Sequence, residues 1–224
     1  MGNDSARIVR EQRLLTEQLE RDSLSSAYII GHLEEGYQEF CTWYAAGPEA
    51  TPDAIVLVFT GHSVPALLSY GQTGALGRIF ERFHDQMPGR AMAQLLPHHV
   101  AAVDPYFATD GLVPMIRMGL RREDFQARTQ DEMTIEALSH RHTSLIMQLY
   151  QHYYSDNWFE PAQLDSGHYF GIVKDNELVS VAGVHVLSPQ GKLAVLGNIV
   201  THPDHRGQGL STACTSHLCQ HLFT

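Results

Sequence analysis

Between residues 10 and 35 the apolar positions fall three or four apart: Leu14, Leu15 and Leu19, then Ala27, Ile29, Ile30 and Leu33. That spacing predicts two amphipathic helices, and the break at Asp22 and Ser23 supplies a side-chain cap for the second. The period then changes. Residues 40–46 are aromatic and β-prone, 54–60 form an apolar run, and 66–70 are short and apolar, with Gly and Pro between them as turn punctuation. They predict a small sheet. Leu76, Ile79, Phe80 and Phe83 fit one face of a further helix. Residues 91–96 read as a strand, residues 97–103 as a helix opened by Pro97, and residues 115–120 as another strand.

Residues 121–133 carry Arg121, Arg122, Glu123, Asp124 and Gln126 with little apolar periodicity, which marks a linker and a domain boundary at 125–132. The expected domains are therefore residues 1–128 and 129–224. In the second, residues 135–138 predict a strand and Leu145, Ile146, Leu149 and Tyr150 a helix. Strands at 169–173 and 178–187 flank the hairpin composition Lys174-Asp175-Asn176-Glu177. A strand at 193–200 and a helix at 210–222 close the chain, and the fold class is α+β.

Charge and cysteine usage narrow the field. Fifteen Lys and Arg against 25 Asp and Glu leave a net charge of −10, so no sequence-wide positive field draws nucleic acid or an anionic membrane. At 43% hydrophobic and 18% charged residues the chain has enough apolar material for a packed core and is not a disordered polymer. The longest apolar run, residues 54–59, is far below membrane-spanning length. Cys41, Cys214 and Cys219 are odd in number and lack CxxC spacing, which points to free thiols and a cytoplasmic location.

The chemistry concentrates in residues 193–222, where a strand leads through Thr201-His202-Pro203-Asp204 and Arg206-Gly207-Gln208-Gly209-Leu210-Ser211 into a helix. Amides at a helix N-terminus lack intrahelical partners and sit at the positive end of the macrodipole, while glycines let an anion approach the backbone. No Gly-Lys-Ser/Thr ending marks a Walker loop, and Thr212 stands where a GxGxxG fingerprint needs its third small residue. Cys214, His217 and His221 share a helix face. However, Leu210, Cys214, Leu218 and Leu222 form that helix's apolar stripe, so Cys214 is a core residue and no metal site is expected. Gly61-His62-Ser63 lacks a third group for a nucleophilic triad and reads as a loop.

The glycine loop resembles the coenzyme-A-binding motif of the GNAT superfamily of N-acetyltransferases, Gln/Arg-x-x-Gly-x-Gly/Ala, with Arg206, Gly209 and Ser211 at its defining positions. Ser211 is a small-for-small departure. The resemblance covers roughly residues 135–224 and implies acetyl-CoA as co-substrate. The amides of Arg206, Gly207, Gln208, Gly209, Leu210 and Ser211 would hold the pyrophosphate, and the backbone of Ile199, Val200 and Thr201 would pair with the pantetheine arm. The first 128 residues resemble the degenerate first domain of two-domain members, so the implied architecture is tandem GNAT-like domains, each a mixed, mostly antiparallel sheet flanked by helices. The family continues past this helix with further strands while the sequence stops at Thr224, so the second domain is expected to be truncated.

Acetyl transfer from a thioester to an amine needs a polarised carbonyl, a neutral amine and a protonated leaving thiolate. A strand amide near Ile199 or Val200 would polarise. Asn198 can position water but cannot act as a base, whereas His185 and His202 titrate near neutrality; these three are the catalytic candidates. Acceptor-side walls implied by the family would come from Tyr153, Tyr154, Asp156, Trp158, Phe159 and Glu160. The expected acceptor is a small-molecule or peptide amine, with no nucleic acid or membrane partner; a homodimer stays open, since the sequence does not fix the oligomeric state. Two other classes stay open, a non-catalytic acyl-CoA-binding regulatory module and a structural α/β domain whose loop binds nothing.

Overall fold

The computed structural model describes residues 5–128, 133–155, 157 and 159–224. The chain divides into two compact units, Met1–Met118 with Ser188–Lys192, and Gly119–Leu187 with Leu193–Thr224. Both are α+β, with mostly antiparallel sheets flanked by helices.

The first unit runs β1 (Arg7–Val9), α1 (Gln12–Leu19), α2 (Ser23–Gly31), β2 (Cys41–Ala46), β3 (Ala54–Phe59), β4 (Ala66–Gly71), α3 (Thr73–Phe83), β5 (Met92–Gln94) and α4 (Val100–Val103). Asp22 caps α2, its carboxylate accepting the Ser25 N–H at 3.1 Å; this supplies one of the donors that a helix start leaves unpaired. The sheet order is β1-β2-β3-β4-β5, antiparallel except for β4 beside β5. All six residues of β3 are buried, as an apolar run in the middle of a covered sheet must be. On one face α3 sets Leu76, Ile79, Phe80 and Phe83 against Tyr44, Val56, Val58 and Leu67.

Strands β4 and β5 pair only from Ala66 to Leu68. Beyond that point the buried His99 ring bonds β4 twice, Nε2 donating to the Gly71 carbonyl and Nδ1 accepting from the Ser69 hydroxyl, both at 2.8 Å. Residues 115–120, expected as a strand, are irregular, with Met115, Ile116 and Met118 at 84%, 88% and 85% exposure. Pro114 has no N–H to donate, Gly119 disfavours extended structure, and among the described residues no strand runs alongside.

The second unit runs β6 (Glu136–Ala137), α5 (Thr143–Tyr153), β7 (Phe170–Lys174), β8 (Glu177–Ser188), β9 (Leu193–Thr201) and α6 (Leu210–Leu222), with sheet order β6-β7-β8-β9. Helix α5 packs Ile146, Leu149 and Tyr150 with Leu138, Tyr169, Val181 and Val200. Helix α6 packs Leu210, Cys214 and Leu218 with Phe170, Val179, Ala182 and Val184. A sheet covered on both faces explains why β8 and β9 read as near-continuous apolar runs. Cys214 is fully buried, and burial raises its thiol to about 11 against an opposing Ser180 hydrogen bond, which suits packing rather than nucleophilic chemistry.

His32, at the end of α2, is 7% exposed. Its Nδ1 donates to the Tyr28 carbonyl at 2.7 Å, and Tyr37 and Phe59 stand against its ring. Burial pushes it down to about 4. Above the ordinary histidine range both folded and unfolded chains are neutral here. Between about 6.5 and about 4 only the unfolded chain takes up the proton, so about 3 kcal/mol of stability is lost as pH falls through that window. Urea unfolding at pH 7 and pH 4.5 should show His32→Gln losing less stability on acidification than wild type; an identical loss in both would refute the assignment.

Candidate functional site

The site is built where β9 stops and α6 begins. His202 closes the strand, its N–H donating to the Val179 carbonyl of β8 at 2.9 Å. A short turn over Pro203–His205 follows, with Arg206 N–H returning to the Pro203 carbonyl at 3.1 Å. Gly207 and Gly209 then take left-handed φ angles of 75° and 76°, a region that costs other residues about 1–2 kcal/mol. A Cβ on Gly207 would meet open space, so its glycine answers to backbone conformation and not to crowding.

Gly209 is the N-cap of α6 and no side chain caps the helix. Backbone bonding resumes at Ala213, which donates to Gly209 at 2.9 Å, and among the described residues no backbone acceptor is recorded for the amides of 207–212. These donors are open to a partner from outside the chain, and an anion at a positive helix end is one that such geometry favours. A cleft of about 490 Å³ lies against them, lined by residues 199–201, 205–207 and 209–212. No acidic side chain is in that lining. Arg206 reaches across it, Nε donating to the Thr201 carbonyl at 3.1 Å.

The lining gathers Ile199, Val200, Thr201, Arg206, Gly207, Gly209, Leu210 and Ser211, which sequence spacing singled out, and leaves out Gln208, which is exposed. His205 and Thr212 join them without having been foreseen. The glycine pair, the uncapped helix and the cleft fit a diphosphate group.

The three catalytic candidates lie elsewhere; none of them is among the residues lining the cleft. His185 on β8 is half-buried, and its ring lies over Gly197 so closely that a Cβ there would collide with it. His202 accepts the Asp204 N–H at Nδ1 (3.2 Å), which places its own proton on Nε2, 2.9 Å from the Tyr153 hydroxyl. Tyr153 therefore accepts from His202, and among the described residues its own proton has no acceptor.

Asn198 is 1% exposed and sits within β9 at φ 54°, an uncommon angle for a residue with a side chain. Its Nδ2 donates to the Tyr169 hydroxyl at 2.8 Å and to Gln163 Oε1 at 3.1 Å. Tyr169 also donates to Gln163 Oε1, at 2.9 Å, and the Glu160 N–H reaches the same oxygen at 3.2 Å. From the other side Tyr150 donates to the Asn198 carbonyl at 2.6 Å. Burial drives both tyrosines well above the ordinary phenol range, so each remains a donor at any working pH.

Sequence reasoning missed Tyr150, Gln163 and Tyr169: the two tyrosines read only as apolar members of a helix and a strand, and Gln163 carried no signal. Of the acceptor-wall candidates, Asp156 and Trp158 lie outside the described residues. Tyr154 and Phe159 pack on Tyr150, and Phe159 also on Tyr169. Glu160 belongs to a capping box over Pro161–Ser166.

Residues 132–224 match the acetyltransferase (GNAT) family model and form a GNAT domain at the C-terminal end of the chain. A Drosophila protein known by its X-ray structure superposes over 98% of this chain and 86% of its own, at 14% identity and a TM-score of 0.62. A GCN5-related N-acetyltransferase from Kribbella flavida does so over 88% and 80%, at 16% identity and a TM-score of 0.55. These two likenesses extend the shared fold over both units. A GNAT-family structure from Novosphingobium aromaticivorans is matched over only 43% of its own length and 44% of this chain, at 20% identity and a TM-score of 0.37. No curated protein matches the chain. The family transfers acyl groups and takes acyl-CoA as co-substrate.

Replacing Asn198 tests the clasp around it. Asn198→Ala removes the Nδ2 bonds and leaves a left-handed residue with a Cβ, at an expected cost of about 3 kcal/mol. Asn198→Gly loses the same bonds without the backbone strain and should cost about 1–2 kcal/mol less. Equal denaturation midpoints for the two would show that the left-handed angle is not maintained in solution.

Proposed function

We propose that the chain is an acetyl-CoA-dependent N-acetyltransferase acting on a small-molecule or peptide amine in the cytoplasm. The observation that carries this reading is the row of amides at 207–212, released by two left-handed glycines at the uncapped start of α6 and facing a cleft of about 490 Å³. The amides of Gly207, Gln208, Gly209, Leu210 and Ser211, with the Arg206 side chain beside them, receive the diphosphate, and the backbone of Ile199, Val200 and Thr201 receives the pantetheine arm. When bound, the co-substrate supplies an activated acetyl thioester.

The remaining chemistry belongs to side chains nearby. The His202–Tyr153 pair ends in a free phenolic proton, a polarity suited to giving a proton to a departing thiolate and not to taking one from an amine. His185 is the titratable candidate left for the amine's proton. Reduced thiols at Cys41, Cys214 and Cys219 support a cytoplasmic setting, and no described helix is long and apolar enough to cross a membrane. A second reading, a non-catalytic acyl-CoA-binding regulatory module, is favoured by one observation: Asn198, His185 and His202 stand outside the cleft lining.

Titration calorimetry with acetyl-CoA and with free CoA should give heat for both. Gly209→Trp, which fills the cradle and forces the left-handed turn, should weaken each by about tenfold or more, or about 1.4 kcal/mol. Unchanged affinity in that variant would remove the cradle from the reading. Thiol release across a panel of amines separates the two functions, since binding without turnover on any amine favours the module.

A further inference from the structure

The bonds that enclose Asn198 do more than fill a core, because they fix one peptide plane in β9. In a trans peptide the carbonyl and the following N–H point in opposite directions. The Asn198 carbonyl is held by the Tyr150 hydroxyl at 2.6 Å, and Tyr150 is buried among Leu138, Ile146 and Val181. The Ile199 N–H on the same plane must then point away from that core, and Ile199 lines the cleft.

Strand alternation gives the same direction independently. The His202 N–H goes to Val179 of β8; successive amides alternate sides, so Val200 faces β8 while Ile199 and Thr201 face the opposite edge. Among the described residues β9 has β8 as its one sheet neighbour, so the Ile199 N–H on the opposite edge meets no strand there.

We propose that Tyr150, with Tyr169 and Gln163 holding the Asn198 side chain, is a positioning residue that aims the Ile199 N–H at the thioester carbonyl of a bound acyl-CoA. The inference rests on the acyl-CoA reading above and narrows it, choosing Ile199 over Val200 as the polarising donor. An N–H fixed before the substrate arrives stabilises the oxyanion without reorganising at the moment of reaction, which is where such donors contribute most. Tyr150 touches no reacting atom; it acts through the Asn198 peptide.

The test uses the full chain and acetyl-CoA labelled with carbon-13 at the carbonyl. Binding to wild type should move the carbonyl resonance downfield, as a hydrogen bond polarises it. Tyr150→Phe, which deletes one oxygen and keeps the ring, should lose more than half of that displacement while binding free CoA as tightly as wild type. A purely structural role would lower the melting temperature and leave the resonance where wild type has it, and that result overturns the proposal. Should Tyr150→Phe not fold, Tyr169→Phe, which frees one Asn198 Nδ2 hydrogen, is read against the same two outcomes. If wild type binds no acetyl-CoA, the acyl-CoA reading fails and this inference falls with it; binding with an undiminished shift in the variant sinks this inference alone.

Discussion

A side-chain amide that leaves water must find hydrogen-bond partners inside the protein, and Asn198 finds them in Tyr169 and Gln163 while Tyr150 takes its carbonyl. Each bond is worth about 1 kcal/mol net, but an orphaned group at this depth would cost more than that. The set therefore holds a backbone angle that the strand alone would not adopt. Asn198 Oδ1 is left buried without a partner among the described residues, a residual cost of the kind that collects at working sites. Everything C-terminal to the clasp inherits its direction from this peptide: the amides of residues 199–201, the turn at His202, and the approach to the glycine loop.

The two units show what that loop adds, because each repeats the same run of elements: a short strand, helical segments, three strands and a helix. In the first unit β4 passes into α3 through Gln72 alone, and the amides of Ala75 and Leu76 are bonded to Gln72 at once. Among the described residues only the amides of Thr73 and Gly74 lack a backbone acceptor there. The His99 ring bonds β4 where its pairing with β5 ends, so the corresponding gap is closed by protein. In the second unit eight residues intervene between Thr201 and Leu210, long enough for two left-handed turns and a row of unpaired amides. One topology thus yields a sealed unit and an open one, and loop length with glycine placement decides which.

Local chemistry was legible in the sequence and distant chemistry was not. The Asp22 cap, the α3 stripe and the Gly207–Gly209 loop depend on residues within a few positions of one another, so spacing reveals them. The clasp joins residues 29 to 48 positions apart, and Tyr150 or Tyr169 read simply as apolar members of a helix or strand. Residues 115–120 failed for the opposite reason: their composition is β-prone, but a strand needs a neighbour's backbone, which composition does not supply.

Hydrogen-bond polarity also separates residues that composition treats alike. His99 and His202 share one hydrogen-bond polarity: in each Nδ1 accepts while Nε2 donates. The difference lies in where the chain of donors ends. For His99 it ends on a backbone carbonyl inside the core, so the ring only joins segments. For His202 it ends on Tyr153, 39% exposed, whose proton is uncommitted. A histidine with both nitrogens spoken for cannot collect a proton without breaking a bond, yet it can leave its tyrosine poised to give one, and the leaving-group role proposed for the pair draws on that asymmetry.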